Sequence, residues 1–67
     1  MIAITVNGER LEVEQGTTLA GLVDARGLAP DQVAAEVNRA LVPRATRGDR
    51  VLEDGDRVEL VTLVGGG

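Results

Sequence analysis

Only one segment of the chain, Leu19 to Gly27, spaces its apolar residues at a helical interval, whereas the longer apolar runs on either side alternate with period two. Leu19, Leu22 and Val23 make a single stripe on one short amphipathic helix. Ile2, Ile4 and Val6 alternate with Ala3 and Thr5, and Leu11 and Val13 alternate with Arg10, Glu12 and Glu14, so each of these strands has one apolar face. A helix stripe and several one-sided strands bury their apolar faces most economically when the helix lies across one face of a single sheet.

Punctuation fixes the order of elements. Asn7-Gly8 is the dipeptide most favoured in a two-residue hairpin turn, so the first two runs predict a hairpin that ends at Gln15-Gly16. Thr17 and Thr18 can each cap the helix N-terminus, and Gly27 suits the left-handed position that ends it. Ala29-Pro30-Asp31 carries the chain onward. Val33, Ala35 and Val37 predict a third strand, Asn38-Arg39-Ala40 a turn, and Leu41-Val42 the start of a short fourth strand that Pro43 limits to a sheet edge. Residues 44–50 are polar and read as a loop or a single helical turn before Val51-Leu52 returns to the core. After the turn Glu53-Asp54-Gly55-Asp56, the last strand runs from Arg57 to Val64, with Val58, Leu60, Thr62 and Val64 on the core face and Glu59, Val61 and Leu63 on the other. Val61 and Leu63 then either grip a partner or pack under a loop.

These elements predict an α+β chain with the ubiquitin-like β-grasp arrangement: a mixed four- to five-stranded sheet with one main helix across one face. In that fold the first and last strands lie parallel at the sheet centre. Residues 1–64 form the domain and residues 65–67 a flexible glycine tail.

Composition narrows the chemistry. Sixty-seven residues leave little room for an internal cleft. The chain has no His, Cys, Ser, Tyr, Trp, Phe or Lys, which removes most nucleophiles and general bases and argues against a self-contained enzyme. Soft or imidazole metal ligands are missing, and Asp54-Gly55-Asp56 supplies too few oxygens for a calcium loop. A net charge of -4 and the lack of aromatic side chains argue against nucleic acid and favour a basic protein surface as partner. The start has no basic region and no long apolar stretch, so neither a signal peptide nor a membrane span is expected, and a cytoplasmic location is the default. All seven basic residues are arginine. A chain without lysine has no ε-amino acceptor for building lysine-linked chains of itself.

Gly65-Gly66-Gly67 follows the last strand directly. Glycine loses the most backbone entropy on ordering and buries no side chain, so such a tail adds nothing to a fold. It is instead slim enough to thread a narrow channel and present a carboxylate to another enzyme. Gly67 is therefore the first candidate for a reacting residue.

With this architecture and terminus, the sequence resembles the thiamine-pathway sulfur carrier family, ThiS, along essentially its whole length. The resemblance rests on the opening strand into Asn7-Gly8, the segment Asn38 to Arg44 with Val42-Pro43-Arg44, the turn Asp54-Gly55-Asp56, and the terminal Gly66-Gly67. The two turns are ordinary ones; the diglycine is the most specific feature. The resemblance implies a protein co-substrate rather than an enzyme, with no cofactor of its own. Because α-carboxyl groups titrate at about 3.5, Gly67 would be ionised at neutral pH and a poor electrophile. In the family a ubiquitin-activating-like adenylyltransferase (ThiF-like) uses ATP and Mg2+ to form a C-terminal acyl-adenylate, and sulfur arrives from a cysteine desulfurase persulfide. The resulting thiocarboxylate serves thiazole synthase (ThiG-like). Carried over, Gly67 bears the sulfur, Gly65 and Gly66 give clearance, and Val61, Leu63 and Val64 on the last strand dock the partner.

The chain departs from the family in two places: position 65 is glycine where another small residue is common, and the loop after Val42-Pro43-Arg44 lacks a tryptophan found in some members. Three alternatives stay open. They are a sulfur carrier for molybdopterin, cysteine or a thiolated secondary metabolite; a protein modifier joined through an isopeptide bond; and a plain β-grasp interaction module.

Overall fold

In the computed structural model, which describes residues 1–63, the Asn7-Gly8 pair turns the chain as its composition demands. Asn7 and Gly8 have φ values of 51° and 84°, the two positive values a tight hairpin of right-handed twist requires. They join β1 (Ile2–Val6) to β2 (Glu9–Val13) in antiparallel register, Ile2 opposite Val13 and Val6 opposite Glu9.

The helix α1 spans Leu19–Ala25. Of the two threonines before it, Thr18 is the cap: its Oγ1 accepts the Gly21 N–H at 3.1 Å, while the Thr17 hydroxyl donates to the Glu14 carbonyl at 2.7 Å. At the other end Gly27 takes φ 71°, its N–H donates to the Asp24 carbonyl at 2.9 Å, and the Leu28 N–H donates to the Val23 carbonyl at 3.2 Å. This pair of bonds satisfies two carbonyls that the helix leaves free, and Leu28 packs against the core beside it.

A short 3₁₀ turn, Pro30–Gln32, leads into β3 (Val33–Val37), followed by β4 (Ala40–Leu41), a 3₁₀ segment Arg44–Asp49, and β5 (Arg57–Thr62). The five strands form one sheet in the order β2-β1-β5-β3-β4. β1 and β5 are parallel and the remaining pairs antiparallel. This is the β-grasp arrangement, with the last strand in the middle of the sheet and β4 at an edge as Pro43 implies.

Helix and sheet share one core. Ile4, Val6, Leu19, Val23, Leu52 and Val58 are its most deeply buried large side chains. Each such residue contributes about 1.5–3 kcal/mol relative to an exposed position.

Three details differ from the sequence reading. The fourth strand begins at Ala40 rather than Leu41, because Asn38 and Arg39 alone make the turn, both at positive φ (52° and 71°) and without a glycine. Val42 is buried just past that strand, its N–H donating to the Ala35 carbonyl at 2.9 Å. Val51 does not enter the core with Leu52: it bridges Thr18 along the backbone, which turns one side chain of the adjacent pair outward. Thr62 is exposed rather than core, because β5 outruns β1. Val6 pairs with Val58 and the chain then turns back at Asn7-Gly8, so among the described residues no strand flanks Thr62 on that side.

Candidate functional site

The last strand is held on the β1 side as far as Leu60 and on the β3 side as far as Leu63. On the β1 side the Thr5 N–H donates to the Asp56 carbonyl at 3.0 Å and the Asn7 N–H to the Val58 carbonyl at 2.9 Å. There β1 ends, but the ladder continues by one rung. The Asn7 side chain accepts the Leu60 N–H at Oδ1 (2.7 Å) and donates from Nδ2 to the Leu60 carbonyl (3.1 Å). A carboxamide is chemically a peptide group, so it can stand in for the strand that is no longer there. On the β3 side the Asn38 N–H donates to the Arg57 carbonyl at 2.7 Å, and the Leu63 N–H donates to the Gln32 carbonyl at 2.7 Å.

The face of the sheet away from the helix carries an apolar ridge. Val61 and Leu63 are 60% and 51% exposed, so neither packs under a loop. Register extends the ridge: Ala34 lies opposite Val61, and Glu36 lies between Glu59 on β5 and Leu41 on β4. Directly paired residues share a face, so Leu41, 66% exposed, stands on the same surface as Val61. Glu36 and Glu59 lie beside it, and Glu59 makes a loose ion pair with Arg57 at 3.6 Å. The exposed Leu41, Val61 and Leu63 and the half-buried Ala34 are thus gathered on one face by β5, β3 and β4.

Leu41 and Ala34 are contributors that the sequence reading missed. The signal for Leu41 lay in the length of the Asn38-Arg39 turn, since a two-residue hairpin pairs Leu41 with Glu36, a residue already on the polar face.

Two buried charged residues are also new. Asp56, 5% exposed, accepts Asn38 Nδ2 at Oδ1 (3.0 Å) and the Glu53 N–H at Oδ2 (2.8 Å), with the Arg50 guanidinium 3.5 Å away. The Asn38 carboxamide in turn accepts the Arg57 N–H at 2.9 Å. This network fastens the turn before β5 to the hairpin beyond β3. Arg47, also 5% exposed, lies in the polar segment read as a loop or a single helical turn, which is the 3₁₀ segment here, and its guanidinium donates to the carbonyls of Pro30 (2.9 Å) and Val33 (2.7 Å).

Among the described residues there is no ligand-sized cavity, no cluster of acids able to hold a metal ion, and no helix long and apolar enough to cross a membrane. What the fold offers is a surface and a strand end. Of the residues singled out from sequence, Val61 and Leu63 are brought together at that end. Val64, Gly65, Gly66 and Gly67 lie outside the described residues.

A family model described as the ThiS family matches residues 2–67. A thiazole synthase from Magnetococcus marinus is 48% identical over 64 residues, covering 96% of this chain, and the chain spans only 20% of that protein's length. An uncharacterized protein, ycf40, from Porphyra purpurea is 32% identical over 66 residues, covering 98% of this chain and 93% of the relative. Among solved structures, the crystal structure of a thiamine biosynthesis protein, ThiS, from Geobacter metallireducens superposes with a TM-score of 0.80 at 29% identity, covering 98% of this chain and all of that one.

Proposed function

The chain belongs to the ThiS family, and on that footing we propose that it is a sulfur carrier whose Gly67 carboxylate becomes a thiocarboxylate and donates sulfur for the thiazole of thiamine. The observation that carries this reading is the extent of the family match, which runs through Gly66-Gly67 on a chain whose last strand is pinned at the sheet centre. The 48% identity to part of a thiazole synthase supports an enzyme of that kind as the acceptor.

The chemistry divides between this chain and its partners. A Gly67 carboxylate oxygen attacks the α-phosphorus of ATP, bound with Mg2+ by a ubiquitin-activating-like adenylyltransferase, and pyrophosphate leaves. A persulfide sulfur that originates at a cysteine desulfurase then attacks the acyl carbon and displaces AMP. A thiol cleaves the resulting acyl disulfide, ending as a disulfide itself and leaving the thiocarboxylate on Gly67. Thiazole synthase takes the sulfur from there.

This chain contributes docking and delivery. Val61, Leu63 and Leu41 present the apolar ridge to the partner, and Val64 follows them in sequence as a further docking residue. Gly65 and Gly66 add no β-carbon that would bar entry to a narrow channel. The domain supplies no side-chain thiol or amine to intercept the activated carboxylate, since it has neither cysteine nor lysine.

The test is reconstitution of the chain in thiocarboxylate form with a thiazole synthase and its sugar-phosphate substrate, with thiazole phosphate as the readout. Product formation that requires Gly66-Gly67 is expected. Equal product from a chain lacking those two residues contradicts the proposal, and Gly67 joined to lysines of other proteins without any thiocarboxylate assigns the chain to protein modification instead.

A further inference from the structure

Arg47 and Asp56 are the two buried charged residues among those described, and they are handled differently. Asp56 meets Arg50, Asn38 and a backbone N–H. Arg47 forms no ion pair with any described carboxylate; its NH1 and NH2 donate to two carbonyls, and its buried Nε has no hydrogen-bond partner. A buried cation without a counterion is costly to the fold, and an apolar side chain of similar length would fill the space with less desolvation. Core packing alone does not account for an arginine here.

What its two bonds accomplish is local. They fall on the Pro30 and Val33 carbonyls, which bracket the 3₁₀ turn Pro30–Gln32. The turn itself is held by a bond from the Gln32 N–H to the Ala29 carbonyl at 2.9 Å. Between the two clamped carbonyls lies that of Gln32, which accepts the Leu63 N–H at 2.7 Å. This is the final backbone bond of the described chain before the glycines. The path is continuous: Arg47 fixes the turn, the turn aims the Gln32 carbonyl, and that carbonyl holds Leu63.

We propose that Arg47 is a positioning residue that, through the Pro30–Gln32 turn, fixes the backbone of Leu63 at the end of β5. Its functional consequence rests on the sulfur-carrier reading; its structural consequence does not. The fork of the guanidinium suits the role, because two rigidly spaced donors fix two carbonyls relative to each other, which a single ammonium does less well. The opposite side of the strand has its own clamp in the Asn7 carboxamide, three residues earlier at Leu60.

The test compares Arg47→Met and Arg47→Lys with the parent by residue-resolved amide hydrogen exchange and by steady-state kinetics with an adenylyltransferase of the ThiF type. In Arg47→Met, exchange at Leu63 is expected to rise about tenfold while Val58 at the core stays within about twofold of the parent. With the apolar ridge intact, kcat for adenylation should fall by about tenfold with KM nearly unchanged, and Arg47→Lys should recover part of both. A uniform rise in exchange across the sheet, or no change at Leu63, overturns the proposal. Should Arg47→Met fail to fold, Arg47→Lys decides: a smaller but Leu63-selective rise supports the clamp, and a uniform rise rejects it. If the parent itself is not adenylated, the sulfur-carrier reading fails while the exchange data still judge the clamp.

Discussion

Replacing Asn7 tests whether one carboxamide substitutes for a missing stretch of strand. In Asn7→Gly the positive φ is kept, so the turn survives, but both bonds to Leu60 are lost. Each is a partly buried bond of about 1 kcal/mol, which gives about 2 kcal/mol for the pair. The added glycine loosens the unfolded chain by about 0.5 kcal/mol more, for a total of about 2.5 kcal/mol. For a domain of this size that lowers Tm by about 10–20 °C. Asn7→Ala loses the same bonds and adds left-handed strain of about 1–2 kcal/mol, so it should be the worse of the two. Asn7→Asp keeps the acceptor for the Leu60 N–H but sets a carboxylate oxygen against the Leu60 carbonyl, and should fall at least as low as the glycine variant. Urea unfolding followed by far-ultraviolet circular dichroism is the assay, since a chain without aromatic residues has no intrinsic fluorescence to follow. An Asn7→Gly variant within about 0.5 kcal/mol of the parent would refute the extra rung, that margin being typical of a neutral surface change. Equal stability of the alanine and glycine variants would refute the strain argument.

Two further outcomes follow from the open face and from the second hairpin. Val61→Asp and Leu41→Asp should leave stability within about 0.5 kcal/mol in urea unfolding, because both side chains are exposed, yet weaken binding to the adenylyltransferase by about tenfold or more in calorimetric titration; Val51→Asp, exposed but off the ridge, should change neither stability nor binding. Arg39→Gly removes about 1–2 kcal/mol of left-handed strain at φ 71° against about 0.5–1 kcal/mol of added chain entropy, so a net gain of about 0.5 kcal/mol in urea unfolding is expected, and a loss would contradict the turn geometry.

The elements themselves were legible because each carries a local signal: alternation in β1 and β3, Asn7-Gly8 between β1 and β2, helical spacing from Leu19, and glycine at position 27. What local pattern does not encode is which polar side chains do backbone work at long range. Asn7 reads as a turn former, and its second role depends on β5 arriving alongside, more than fifty positions later. Arg47 sits in a polar stretch whose composition points to solvent, and its burial depends on the neighbouring 3₁₀ turn having two carbonyls to spare. Thr62 continues the core alternation on paper but lies beyond the end of β1. Val61 and Leu63 were visible as apolar residues on the wrong face, whereas Leu41 joined them only once the turn length set its register.

The central claim is that Gly67 carries sulfur, and intact-mass spectrometry addresses it most directly. The chain is incubated with its adenylyltransferase, ATP, Mg2+ and a cysteine desulfurase with cysteine. Exchange of one carboxylate oxygen for sulfur predicts a gain of about 16 Da that fragmentation places on Gly67 and that deletion of Gly67 abolishes. Full activation by ATP with no such gain, or a gain that survives the deletion, would contradict the claim.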